Sequence, residues 1–360
     1  MKSTTWYLLR MSRWQPPGRA ADDKRRADMY RAAMQQFEDL MDAASSTGPA
    51  GSPLPLFYAL SQAGRAILAT REEDETIAFP KKEGHGLTVP REAVGEDDLM
   101  TTVVKPMSSE GHFQRVARAT GSPIFTGEVT LGALLASLPE TGDELWNDER
   151  WPTAIRMTSL MDLAASPTLA NLVNVDLNMF QSGILRLGLV TERISCTEDL
   201  VEFVELYPGL KNRRARLPPW LSDLRTWQTP VGPAVEVHLS VKPNLADPIR
   251  AQEALLDEIG PRYRWTERRW LRPAIEDGPL PSPLMTWWAV LLTLSSLARY
   301  HPTAWTHALE KNRSPVAVVL ERTIDIALEA VPHLVFEAVG LAGGAQLLLP
   351  PGPDTPPRSR

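Results

Sequence analysis

Apolar residues recur at helical spacing along both ends of the chain, and a period-two alternation takes over in its middle. From Asp22 to Ala44 the residues Tyr30, Ala33, Met34, Phe37, Leu40 and Met41 fall on one face, which predicts an amphipathic helix. The breaker-rich run from Ser45 to Pro53 ends it as a loop. A second helix follows from Leu54 to Thr70, with Leu56, Leu60, Ala63, Gly64, Ile67 and Leu68 on its inner face, and the two helices pair as a hairpin. Ahead of them, Trp6 to Met11 reads as a short, extended apolar segment.

A charged connection from Arg71 to Glu83 leads to Gly84-His85-Gly86, where the glycines allow unusual backbone angles or close approach of a neighbour. Further on, Gly127 to Val129 reads as strand and the next residues as helix. Ala234 to Val241 alternates like a half-buried strand, and Asp247 to Gly260 is helical. From Leu284 to Ala298 there are fifteen residues without a charge, interrupted by Thr286, Thr293, Ser295 and Ser296. That is short of the roughly 20 residues needed to cross a bilayer, so a buried core helix is expected, with Trp287, Trp288 and Leu291 inside. Ser314 to Val339 is helical with Pro332 interrupting it, and the Pro-rich end is expected to be disordered.

These elements predict an α+β chain, predominantly α-helical, whose N- and C-terminal helices pack together, with a small strand-containing unit in the middle. The boundaries expected are 1–120 for the N-terminal helical region, 121–280 for the mixed middle, 281–349 for the C-terminal helices and 350–360 for the tail. The 38 basic residues are outweighed by 44 acidic ones, for a net charge of −6, so any contact with nucleic acid or an anionic membrane has to be local. The single cysteine, Cys196, excludes intrachain disulfides and multi-cysteine metal sites, and it is expected to be a small buried residue in a cytoplasmic protein. No cofactor or metal is expected.

Two separated segments carry a family pattern. One is Pro53-Leu54-Pro55-Leu56-Phe57-Tyr58-Ala59-Leu60-Ser61-Gln62-Ala63-Gly64-Arg65-Ala66 with His85-Gly86-Leu87 after it; the other is Met285 to Trp305. Both resemble the YaaC-like family of bacterial proteins, and their placement near both ends implies a resemblance along the whole length. The Tyr58 helix followed by a Gly-flanked histidine also looks like HEPN-type helical domains, many of which act in toxin, antitoxin and phage-defence settings. Active HEPN ribonucleases place an Arg ahead of a His with four to six residues between them, and none of the six histidines here is preceded by an Arg at that spacing.

Two constellations carry candidate chemistry. The first is Tyr58, Arg65 and His85 with Arg299, Tyr300 and His301. If they converge, they form a cationic pocket for an anionic small molecule or a phosphate, against the plainer reading of a helix end capped by cations. The second is the tract containing Arg262, Arg264, Trp265, Arg268, Arg269 and Trp270, which pairs phosphate contacts with base stacking or else forms a strand with arginine stems laid along aromatics. Phosphate-binding loops, dinucleotide fingerprints, zinc-binding His pairs and nucleophile elbows are absent from the sequence. The expected function is therefore a non-enzymatic binding or effector component, in bacterial stress or phage defence by the family analogy. Its expected partners are an anionic ligand or nucleic acid and a protein partner or second copy, with no membrane. The alternative is a ribonuclease-type effector with a non-standard site.

Overall fold

The computed structural model describes residues 4–80, 84–142, 150–158, 180–191, 193–194, 196–211, 215–216, 227–229, 232–242, 246–260, 262–263, 268–312, 314 and 316–343. The C-terminal tail, Arg264 and Trp265 lie outside them. The chain divides into two compact units, 1–131 with 281–360, and 132–280.

The first unit is built on α-helices. Its core element is the hairpin of α2 (Lys24–Ser46) and α3 (Pro53–Arg71). Asp23 caps α2 by accepting the Arg26 amide, and Pro53 begins α3 at the one place where a missing N–H costs nothing. Helix α3 is buried nearly all round because Ala59, Ala63, Gly64 and Ala66 let its neighbours approach closely, while Leu56, Phe57, Leu60 and Ile67 supply the apolar area.

The segment expected to be extended at Trp6 to Met11 is instead α1 (Thr4–Trp14). It buries Thr5, Leu9 and Ser12 at helical spacing and stacks Trp6 on Phe37 of α2 at 5.4 Å. The window read was too short to show that period. In the connection after α3 there is one turn of helix, α4 (Glu75–Ala78). Strands β1 (Leu87–Thr88), β2 (Val103–Pro106) and β3 (Val129–Thr130) form a small antiparallel sheet, and α5 (His112–Thr120) between them packs on α3. From β3 the chain passes directly into α6 (Leu131–Ser137).

The second unit is a six-stranded antiparallel sheet with two helices packed on one face. Its strands are β4 (Ile155–Thr158), β5 (Ile184–Val190), β6 (Trp227–Thr229), β7 (Gly232–Ser240), β8 (Arg262–Tyr263) and β9 (Arg268–Leu271), in the order β6-β7-β5-β4-β9-β8. Helices α7 (Thr197–Leu206) and α8 (Pro248–Ile259) close the core with Leu200, Phe203 and Ile259 against Leu187, Val237 and Leu239.

Strand β7 alternates as expected but is buried on both faces. On the face away from that core, Glu236 accepts from Arg186 Nε at 2.6 Å and pairs with His238 Nε2 at 2.7 Å. The ionic side chains are tolerated there because they satisfy one another. Cys196 is half-buried rather than buried, because its thiol caps α7 by accepting the Asp199 amide.

The C-terminal helices return to the first unit. The uncharged segment forms α9 (Pro283–Tyr300), in which Trp287, Trp288 and Leu291 are fully buried against α3. Its buried hydroxyls bond back to their own helix, as Thr293 does to the Ala289 carbonyl at 2.8 Å. After α10 (Pro302–Ala308), α11 runs unbroken from Ala317 to Gly343. Pro332 lies inside it rather than ending it, because Val331, Leu334 and Val335 bury on either side and packing outweighs one missing hydrogen bond. Among the described residues no helix is long and apolar enough to cross a membrane.

Candidate functional site

The Gly84-His85-Gly86 segment is fixed by the start of α5. The His112 amide donates to the Gly84 carbonyl at 2.7 Å and the Phe113 amide to the His85 carbonyl at 3.1 Å. Gly86 has φ +82°, and a Cβ there would collide with the Gln114 carboxamide, whose Nε2 donates to the Gly86 carbonyl at 2.8 Å. Only glycine meets both demands. His85 is thereby held at the surface, its ring edge-on to Phe57 of α3 at 5.2 Å. Tyr58, at the margin of exposure, leans on the same Phe57 at 5.7 Å.

Beneath His85 lies His112, the first residue of α5. Its ring is buried and stacked on Trp288 of α9, with centroids 5.1 Å apart and planes 27° from parallel. Gly64 on α3 makes the room: a Cβ there would stand 2.5 Å from His112 Nε2 and 2.6 Å from Trp288 Cη2. The Ser61 carbonyl accepts a hydrogen bond from the imidazole. Burial first, then the positive charges of Arg115, Arg65 and His85, pull the His112 pKa down to about 3, so the ring is neutral at physiological pH. Arg115 is buried one helical turn further along α5. Arg65 is half-buried, with Nη1 donating to Gln62 Oε1 at 3.1 Å. Two guanidinium forks and two imidazoles thus run from the surface at His85 to the interior at His112.

The structure brings Arg65 and His85 together in this cluster and places the C-terminal trio elsewhere. Arg299 lies eleven residues past Trp288 on α9, a rise of roughly 16 Å. Its guanidinium packs over the Tyr300 ring at 4.9 Å. Tyr300 and His301 line an open pocket of about 400 Å³ with His307 and two carboxylates, Glu96 and Asp97, which make it a poor anion site. Among the described residues no group of three or more His, Cys, Asp or Glu side chains is placed to hold a metal ion.

The arginine tract falls on the strands β8 and β9 of the second unit. Arg262 pairs with Arg269 in the ladder, and Arg268 is exposed. Arg269 is bound to Glu253 and Asp257 on α8, and Trp270 is buried. The described part is therefore a sheet edge whose Arg269 is already neutralised and whose Trp270 is not presented for stacking.

Sequence reasoning did not single out His112 and Arg115. A signal was present: Gly111-His112-Phe113-Gln114-Arg115 opens a helix whose Gln114 Oε1 accepts the Gly111 amide and whose Phe113, Val116 and Ala117 are core. The polar pair on the same element stood out only through its placement against Gly64 and Trp288. Compared with known proteins, the chain matches the family described as YaaC-like Protein over residues 3–339. No curated protein and no solved structure matches it.

Proposed function

The chain belongs to the YaaC-like family, and we propose that it acts as a binding or effector protein that takes an anionic group at the cluster of Arg65, His85, His112 and Arg115. The observation that carries this reading is the convergence of three basic side chains on one buried, neutral imidazole. Guanidinium forks match phosphate and carboxylate oxygens in pairs, and the exposed His85 gives an approach from solvent. Like charges held close repel, so an anion that binds the folded chain stabilises it by mass action, by about 2.7 kcal/mol at one hundred times its dissociation constant.

Thermal unfolding in rising inorganic phosphate or pyrophosphate, against chloride of equal ionic strength, tests the proposal. The melting temperature of the wild-type chain should climb and saturate. His85→Gln and Arg65→Gln, both at accessible positions, should flatten the response without lowering the starting temperature by much. An equal response in all three proteins would refute the site. An effector role in bacterial stress or phage defence accompanies this reading, and phage plating on cells carrying wild-type or His85→Gln chain tests it.

One observation favours a second reading. The exposed imidazole of His85, beside Arg65, is the group in this cluster within reach of solvent that could accept a proton from a nucleophile next to a held phosphodiester. Incubation of single-stranded RNA and DNA with the chain, with and without divalent metal, decides it: cleavage lost in His85→Asn supports catalysis, and intact substrate leaves binding alone.

A further inference from the structure

We propose that a second site, for a nucleotide, lies where the C-terminal end of α1 meets α2. The last turns of α1 carry Arg10, Arg13 and Trp14, and α2 faces them with Arg31, Gln35 and Glu38. Glu38 is buried and organises the group: Arg10 Nε donates to its Oε1 at 2.7 Å and Arg13 Nη2 to its Oε2 at 2.9 Å. Arg13 Nη1 donates to Gln35 Oε1 at 2.6 Å, and Arg31 Nε donates to the Arg13 carbonyl at 3.0 Å. Three long, normally mobile side chains are thus held in place before any ligand arrives, which lowers the entropy cost of binding.

Arg10, Arg13, Arg31 and Trp14 line an open pocket of about 630 Å³, within the roughly 300–1,000 Å³ range of small-molecule sites. Trp14 is 78% exposed, the most exposed of the large apolar side chains described. An indole left in water beside immobilised guanidinia offers a flat apolar face for a ring and donors for an anion, the two halves of a nucleotide. Glu38 and Asp28 pair with these arginines and Asp42 acts on Arg10 as well, so a phosphate would be held by the directed guanidinium donors rather than by a surplus of positive charge. The site shares no residue with the His112 cluster, so the two stand or fall separately.

Isothermal titration calorimetry of the full chain with AMP, adenosine and ribose 5-phosphate tests the assignment. With the phosphate response of the His112 cluster flattened by His85→Gln, AMP should bind saturably at one per chain, with adenosine and ribose 5-phosphate each weaker by an order of magnitude or more, because each lacks one half of the match. Trp14→Ala should weaken AMP roughly five- to hundred-fold, the range set by loss of one base–aromatic stack, while Trp14→Phe keeps most of the affinity. Arg31→Ala should weaken AMP far more than adenosine. Trp14 is exposed, so neither substitution there should move the melting temperature. Absence of saturable AMP binding, adenosine binding as well as AMP, or Trp14→Ala without effect would each overturn the site.

Discussion

Acidification should destabilise the first unit through one side chain, His112. In the folded chain its pKa is held near 3 by burial and by Arg115, Arg65 and His85, whereas an unfolded histidine titrates near 6.5. The group is a base whose folded pKa is depressed, so the unfolded state binds the proton more readily. Stability is then complete above about pH 6.5, falls as pH drops, and levels off only below about pH 3. Linkage over that interval gives a loss of about 2 kcal/mol at pH 5 and about 3 kcal/mol at pH 4, relative to pH 7.

The assay is urea unfolding followed by tryptophan fluorescence at pH 7, 5 and 4, on the wild-type chain and on His112→Asn. The Asn variant keeps a donor for the Ser61 carbonyl but cannot titrate. Carboxylates also contribute to acid sensitivity, so the difference between the two proteins isolates the imidazole. Saturating pyrophosphate should shrink the wild-type loss, because a bound anion favours the protonated ring. Parallel loss of stability in wild type and variant between pH 7 and pH 5 would refute the claim that His112 is buried neutral among cations.

Other perturbations have equally definite outcomes. Gly64→Ala should destabilise by about 1–3 kcal/mol or more in chemical denaturation, since its Cβ would force His112 and Trp288 apart; unchanged stability would show that α3, α5 and α9 are not in this close contact. Trp288→Ala should cost about 3–5 kcal/mol, and an unchanged midpoint would contradict its complete burial. In the second unit, burial opposes ionisation of Glu236, but bonds from His238 and Arg186 outweigh it and hold the carboxyl below its usual range. Its contribution should therefore be present above about pH 4.5 and fade as pH falls through the lower folded pKa. Glu236→Gln should cost about 3–5 kcal/mol at neutral pH by leaving the largely buried Arg186 without its counter-charge, and unchanged stability would show that this pair is not buried as a unit.

The α-helical character, the α2–α3 hairpin and the burial of the α9 tryptophans were legible in the sequence, because helical periodicity and uncharged length are local properties that survive folding. The glycines around His85 were legible for the same reason: a positive φ at Gly86 is a demand on one residue. What tertiary structure alone decided is which polar residues meet. Arg65 and His85 joined His112 and Arg115 because α5 docks on α3 where Gly64 lacks a side chain and Trp288 offers a ring to stack on. Arg299, one helix away and just as promising by residue type, ended beside Tyr300 at the far end of α9. Pro332 and Trp6 show the same limit from the other side, since contacts made by distant chain segments set both α11 and α1 against their local signals. A sequence records the preferences of each segment, but a site is an intersection of segments, and its geometry exists only once their packing is fixed.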